Sequence, residues 1–254
     1  MPTDAPEPTV DLTLRLATRE DLPAIAELYT RVRDAAFPAM PRGLHPPHEV
    51  LAHVTGWDLA TREVWFAERD GAPIGYAVLH DDWLDSLYVA PEAAGQGVGG
   101  ALLDLAKQLR PGGFCLWVFE SNAPARAFYE HRGLVDLERT DGTGNEERAP
   151  DIRMAWPGTE PLEFFRGLID DVDGQLGDLL ARRAALTRAV QAHKRGLGRD
   201  RDRERGIAEA MALRAPDLGS DRLSRIVDAI ITESLDAAAS SADVAASIDG
   251  DAAR

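Results

Sequence analysis

The sequence predicts two domains, a mixed α/β domain with a mostly antiparallel sheet over residues 11–157, then an all-α domain of three helices over 163–241. Three observations lead there. The 254 residues are about what two compact domains use. Strand-like and helical runs alternate as far as Pro157. Beyond a short linker, 158–162, apolar residues recur every three or four positions from Leu162 to Arg195 with no Gly-Pro break. Residues 1–10, rich in Pro, Asp and Glu, and 242–254 read as disordered tails.

Composition narrows the function classes. With 44% hydrophobic and 28% charged residues the chain can bury a real core. A formal net charge of -15 argues against a broad nucleic-acid or anionic-membrane surface, because phosphate binding needs clustered cations. No apolar run approaches the ~20 residues of a membrane span, and MPTDAPEPTV lacks the basic and apolar regions of a signal peptide, so a cytoplasmic protein is expected. The single cysteine, Cys115, lies in the apolar run GFCLWVFE and reads as a core side chain, leaving neither an intramolecular disulfide nor a cysteine metal site.

In order, DLTLRLA reads as a strand, LPAIAELYTRVRDAAF as a helix, and HEVLAHVTGW, after a Pro-rich loop, as another helix. VWFAERDG and APIGYAVL are strands turning at Asp70 and Gly71, with WLDSLYVA following, which implies consecutive antiparallel strands. ALLDLAKQL is a helix, GFCLWVFE a strand, APARAFYEHRG a helix, and LVDLERT and DIRMAWP two closing strands. In the second domain a long helix is followed by RERGIAEAMALRA and DRLSRIVDAIITESLDAAA, separated by PDLGS with Ser220 as N-cap. So long an apolar stripe exceeds what two shorter helices cover, which predicts a homodimer.

The segment LYVAPEAAGQGVGGALLDLA places glycines 95, 97, 99 and 100 between a strand and a helix start. Glycine allows close backbone approach, and the helix N-terminus offers unbonded N–H groups, so a pyrophosphate is the natural guest. Antiparallel strands before the turn do not fit a Rossmann βαβ unit, and no Lys-Ser/Thr pair follows the glycines as in a P-loop. Together with NAPARAFYEHRGL one strand later, the pattern resembles the GNAT acetyltransferases across 11–157.

That resemblance implies acetyl-CoA as co-substrate and an amine as acceptor. Gly95, Gln96, Gly97, Val98, Gly99 and Gly100 would cradle the CoA pyrophosphate, and Leu87 to Val89 would pair with the pantetheine arm. Asn122 would contact CoA, and Tyr129 would protonate the departing thiolate. At the motif's first position, where the family often has Arg or Gln, this chain has Ala94. Glu68 and Asp85, near strand ends on the expected substrate side, are candidates for the base, with solvated carboxylates the bland reading of both.

On the long helix, Arg183 and Lys194 are eleven residues apart, which at about 100° per residue returns them to one face, alongside Leu176 and Val190. Cations on a core-facing stripe are costly to desolvate unless an anion meets them, either a buried carboxylate or a polyanionic ligand. Arg166, seventeen residues before Arg183, points about 100° away and could serve a neighbouring subunit's site.

FFRGLIDDVDGQLGDLLARRAALTRAVQAHK, DRDRE and IVDAIITES resemble the helical AroQ class of chorismate mutase over nearly all of 162–240. The resemblance implies that Arg183 and a partner chain's Arg166 bind the two carboxylates of chorismate, and that Lys194 holds its ether oxygen. Asp200, Arg203 and Glu204 would hold the ring hydroxyl side, and Ser234 would complete the carboxylate pocket, without cofactor or metal. Ala238 stands where the family usually has Gln or Glu, and the connection RGLGR is short, which together imply a slow mutase. Isochorismate or aminodeoxychorismate chemistry, a chorismate-sensing or dimerisation role for the helices, and a CoA-binding first domain without turnover are the alternatives.

Overall fold

In the computed structural model, which describes residues 12–193 and 199–252, the chain divides into two compact units, 1–166 and 167–254. The first unit carries a seven-stranded sheet with β1 (Leu12–Leu16), β2 (Glu63–Arg69), β3 (Ala72–His80), β4 (Trp83–Val89), β5 (Phe114–Phe119), β6 (Val135–Arg139) and β7 (Asp151–Trp156). Helices α1 (Leu22–Ala35) and α2 (Pro47–Thr55) lie between β1 and β2, α3 (Val98–Leu109) between β4 and β5, and α4 (Ala123–Glu130) between β5 and β6.

Spatial order is β1-β2-β3-β4-β5-β7-β6, antiparallel except for the β4–β5 contact. Asp70 and Gly71, at φ 51° and 75°, form the expected hairpin turn of β2 and β3. Residues 74–79 of β3 are buried on both faces, so this strand reads as a continuous apolar run.

Successive β3 residues point to opposite faces. Gly75 faces α3, where an added Cβ would meet the Tyr88 carbonyl at 3.0 Å and Val98 at 3.2 Å. On the other face Tyr76 packs on Tyr88, and Tyr88 on Tyr29 of α1. The sheet is thus covered on both sides of β3 and β4.

Two irregularities shape the middle of the sheet. Val78 pairs with Ser86 but Leu79 with Leu84, so Asp85 is the extra residue of a bulge in β4. Between β4 and β5 the register holds a single parallel pair, Trp83 with Cys115, beyond which the strands part.

The second unit is helical: α5 (Pro161–His193), which begins in the first unit, α6 (Arg201–Arg214) and α7 (Gly219–Ala252). Pro161 and Glu163 suit a helix start. Phe164 lies against Gly113, where a Cβ would come within 2.5 Å, so the first turn of α5 belongs to the sheet unit rather than to a linker ending at 162. α7 starts at Gly219, whose φ of 71° makes the turn, so Ser220 lies within the helix and not at its cap. The helix also continues through 242–252, read from sequence as a tail, along the helix-favouring Ala-rich segment. Ala208 of α6 with Val227 and Ile231 of α7 forms a small core in the helical unit. Among the described residues no helix is long and apolar enough to cross a membrane.

Gly75→Val would force β3 away from α3 and the Tyr88 carbonyl. We expect a loss of about 1–3 kcal/mol, read as a lower thermal midpoint; an unchanged midpoint would show that this crossing is loosely packed.

Candidate functional sites

Where β4 and β5 part, a cavity of about 770 Å³ opens through the sheet. Leu87 to Val89 pair with Ala77, Tyr76 and Gly75 of β3 on one side and have no registered strand partner on the other. Backbone groups left along such an edge need water or a ligand that mimics a strand. Leu87, Val89, Asn122 and Tyr129 all line the opening.

The glycine-rich turn leads from the end of β4 into α3. Gly95 and Gly97 have φ of 75° and 85°, a conformation that side chains disfavour. The first helical bond runs from the Ala101 N–H to the Gly97 carbonyl at 2.9 Å, so the N–H groups of Val98, Gly99 and Gly100 have no intrahelical partner. The Gln96 side chain is taken up by Arg69 and by the Glu92 carbonyl, to which Nε2 donates at 2.7 Å, so any role in the turn falls to its backbone.

Arg132 was not singled out from sequence. A Cβ at Gly100 would lie 2.4 Å from its guanidinium, which stacks over Phe128 at 4.9 Å. A cation therefore stands beside the turn in which Ala94 leaves the family's usual polar side chain missing. Expected within the helix APARAFYEHRG, Arg132 lies beyond the end of α4 at Glu130.

Tyr129 is 8% exposed, and burial raises its phenol above the usual value, so it is protonated at neutral pH as an acid must be. It is at once a core aromatic, 5.2 Å from Phe128, and a wall of the cavity. Asn122 caps α4, its Oδ1 accepting from the Ala125 N–H at 3.3 Å. Tyr88, pushed up to about 12 by burial, lies between Tyr29 and Tyr76.

A second cavity of about 630 Å³ opens against α1 and α2, lined by Tyr29, Trp57, Tyr76, Asp85 and Ser86 among others. The two base candidates separate here. Glu68 accepts from Arg15 at 2.7 and 3.0 Å, and Arg15 also pairs with Asp21 at 2.7 Å, so Glu68 is a structural ion-pair partner. Asp85, carried by the bulge, opens into the cavity two residues before Leu87; burial raises its pKa while Arg62 at 3.9 Å opposes the shift.

The loop 140–150 borders both cavities. Arg33, 4% exposed, donates to Glu147 at 2.7 Å and to the Pro41 carbonyl at 3.1 Å, tying this loop to α1.

In the helical unit a cavity of about 470 Å³ is lined by Arg183, Asp200, Arg203 and Glu204 with Val190, Ile231 and Leu235. Arg183 donates to Ser234 Oγ at 2.6 Å and to the Ile230 carbonyl at 3.2 Å, joining α5 to α7. Asp200 caps α6 by accepting from the Arg203 N–H at 3.0 Å. Arg199, missed in the charged run RDRDRERG, forks onto Glu204 at 2.8 and 2.9 Å, reaches Asp228, and lowers the pKa of Glu204. Arg166 is exposed at the last position of the first unit, and Lys194 lies outside the described residues. Ala238 is buried.

The profile of the Acetyltransferase (GNAT) family matches residues 25–134, and that of Chorismate mutase type II matches 165–238. The peptidyl-lysine N-acetyltransferase YiaC of Escherichia coli (strain K12) is 30% identical over 152 residues, 59% of this chain and 99% of the relative. The peptidyl-lysine N-acetyltransferase YjaB of Salmonella typhimurium is 30% identical over 95 residues, 37% of this chain and 65% of the relative. The solution structure of apo YjaB from Escherichia coli aligns at a TM-score of 0.49 with 23% identity, covering 59% of this chain and 99% of that one.

Replacing Glu147 by Gln leaves the buried Arg33 charge poorly matched. A loss of about 1–3 kcal/mol and faster amide exchange across 140–150 are expected, and exchange as slow as in the parent would contradict the tether.

Proposed function

Because the chain belongs to the acetyltransferase (GNAT) family and its residues 165–238 match the type II chorismate mutases, we propose that it is bifunctional. The first unit transfers acetyl from acetyl-CoA to an amine, and the helical unit converts chorismate to prephenate as a homodimer. The observation that carries the first half is the parting of β4 and β5 beside the open first turn of α3.

Amides of the pantetheine arm extend the sheet along Leu87 to Val89, while the N–H groups of Val98, Gly99 and Gly100, with Arg132 at hand, meet the pyrophosphate. An ammonium acceptor gives one proton to Asp85, and the neutral amine attacks the thioester carbonyl carbon. As the C–S bond breaks, Tyr129 protonates the thiolate, and the new amide nitrogen loses its second proton to the phenolate. Being raised, the Asp85 pKa sets an acid limb: the base is available above that pKa and lost as pH falls through it. Asp85→Asn is expected to lower kcat about 10²–10⁴-fold and remove that limb, whereas Tyr129→Phe lowers kcat with little change in KM for acetyl-CoA. An Asn variant that retains the limb would exclude Asp85.

For the helical unit, Arg183, held by the buried Ser234 behind it, would form the carboxylate end and Arg203 and Glu204 the hydroxyl end of the cavity. The rearrangement breaks one C–O bond and forms one C–C bond within the substrate, so a fixed conformer and a cation at the ether oxygen suffice, the latter assigned to Lys194. The exposed stripe Ile169, Val172, Leu176, Leu179, Leu186 and Val190 on α5 supports a second copy as its cover, bringing Arg166 across. Ala238 favours a second reading, in which the helices bind chorismate without converting it. Chorismate turned to prephenate by the parent, lost in Arg183→Ala and raised about tenfold or more in Ala238→Gln, is the expected result. Binding without product in both the parent and Ala238→Gln would favour the sensing role.

A further inference from the structure

Resting on the chorismate mutase reading, we infer that Arg199 is a positioning residue of the helical unit's site, aiming the Glu204 carboxylate at the ring hydroxyl of the substrate and fixing it to α7. The fork it makes is one argument. Arg199 stands just before Asp200, the cap of α6, and its guanidinium turns onto Glu204 in the first turn of that helix. Nε donates to Oε1 at 2.9 Å and Nη2 to Oε2 at 2.8 Å. Two parallel bonds set both the place and the plane of a carboxylate, which a single ammonium contact does not.

The anchoring of the guanidinium is the second. Nη1 donates to Thr232 Oγ1 at 3.1 Å, and Nη2 also reaches Asp228, so the fork is tied to α7. Thr232 is itself held, donating to the Asp228 carbonyl at 2.8 Å. The Asp228 side chain is 66% exposed and that of Glu204 18%. The cation therefore spans from a surface carboxylate to an inner one, and it is Glu204 that lines the cavity beside Arg199, Arg183 and Arg203.

What the fork leaves free is the third argument. Each carboxylate oxygen has two lone pairs, and the fork uses one of each, so Glu204 keeps a position on either oxygen to accept from a hydroxyl. The ionised form serves both donors. Arg199, and to a lesser degree Arg201, hold the Glu204 pKa below its ordinary value, against desolvation and the Asp228 charge. Among the described residues, Asp200, Arg203 and Arg183 are the other charged groups lining the cavity.

The test follows kcat/KM for chorismate conversion to prephenate against pH in the full chain, in Arg199→Gln, in Arg199→Lys, and in both changes made on a Glu204→Gln background. Arg199→Gln is expected to lower kcat/KM by up to about 10²-fold and to move the acid limb to higher pH, because Glu204 then protonates more readily. Arg199→Lys, a cation without the fork, loses rate but holds the limb near the parent's position. On the Glu204→Gln background neither change costs more than about twofold. An acid limb unmoved in Arg199→Gln, or the same loss repeated on the Glu204→Gln background, marks Arg199 as a tie between helices only and overturns the assignment; Arg199→Lys carries the comparison of backgrounds where Arg199→Gln does not fold. A parent that makes no prephenate overturns the mutase reading, and the assignment with it.

Discussion

The first unit is organised around the free edge of β4. Backbone amides and carbonyls cannot be left dry without partners, yet β5 joins β4 only at Trp83 and Cys115. The residues that follow, Leu87 to Val89, keep β3 on one side and an opening on the other. That opening is positioned by rigid neighbours: Gly75 lets α3 approach β3 closely, and Tyr29, Tyr76 and Tyr88 pack the opposite face. Because the same strand then runs into the glycine turn, an open strand edge and a helix start with unbonded N–H groups occur in one continuous segment.

Charge divides the labour around this edge. The turn side has Arg69 and Arg132, suited to an anionic ligand, in a chain whose net charge is -15. The other side, under α2 and the loop 140–150, has the carboxylates of Glu49, Asp85 and Glu146. The buried pair of Arg33 and Glu147 keeps that loop in place. In the helical unit the same logic appears in a smaller space: Arg183 leans on Ser234, and Arg199 holds Glu204 and links α6 to α7.

What the sequence made legible was local. The hairpin at Asp70 and Gly71, the Gly95 to Gly100 turn and the helical periodicity after Leu162 follow from backbone preferences and short spacings, and the structure has each of them. What it hid was non-local side-chain pairing. Nothing near Glu68 announces Arg15, 53 positions away, which is why a structural carboxylate stood among the base candidates. Glu146 and His45 are separated by 101 positions, Glu147 and Arg33 by 114, and only the folded loop joins them. Arg199 was hidden for another reason: in RDRDRERG arginines alternate with acids, and only the packing of α6 on α7 shows which of them faces Asp228. The cap at Ser220 failed because Gly219 could make the turn one residue earlier.

The central claim is that the edge of β4 and the first turn of α3 bind acetyl-CoA, and amide hydrogen exchange with and without acetyl-CoA tests it most directly. The account predicts new protection concentrated at Leu87 to Val89 and at Val98 to Gly100, with the helical unit unaffected. Protection absent from both segments, or confined to other parts of the first unit, would contradict it.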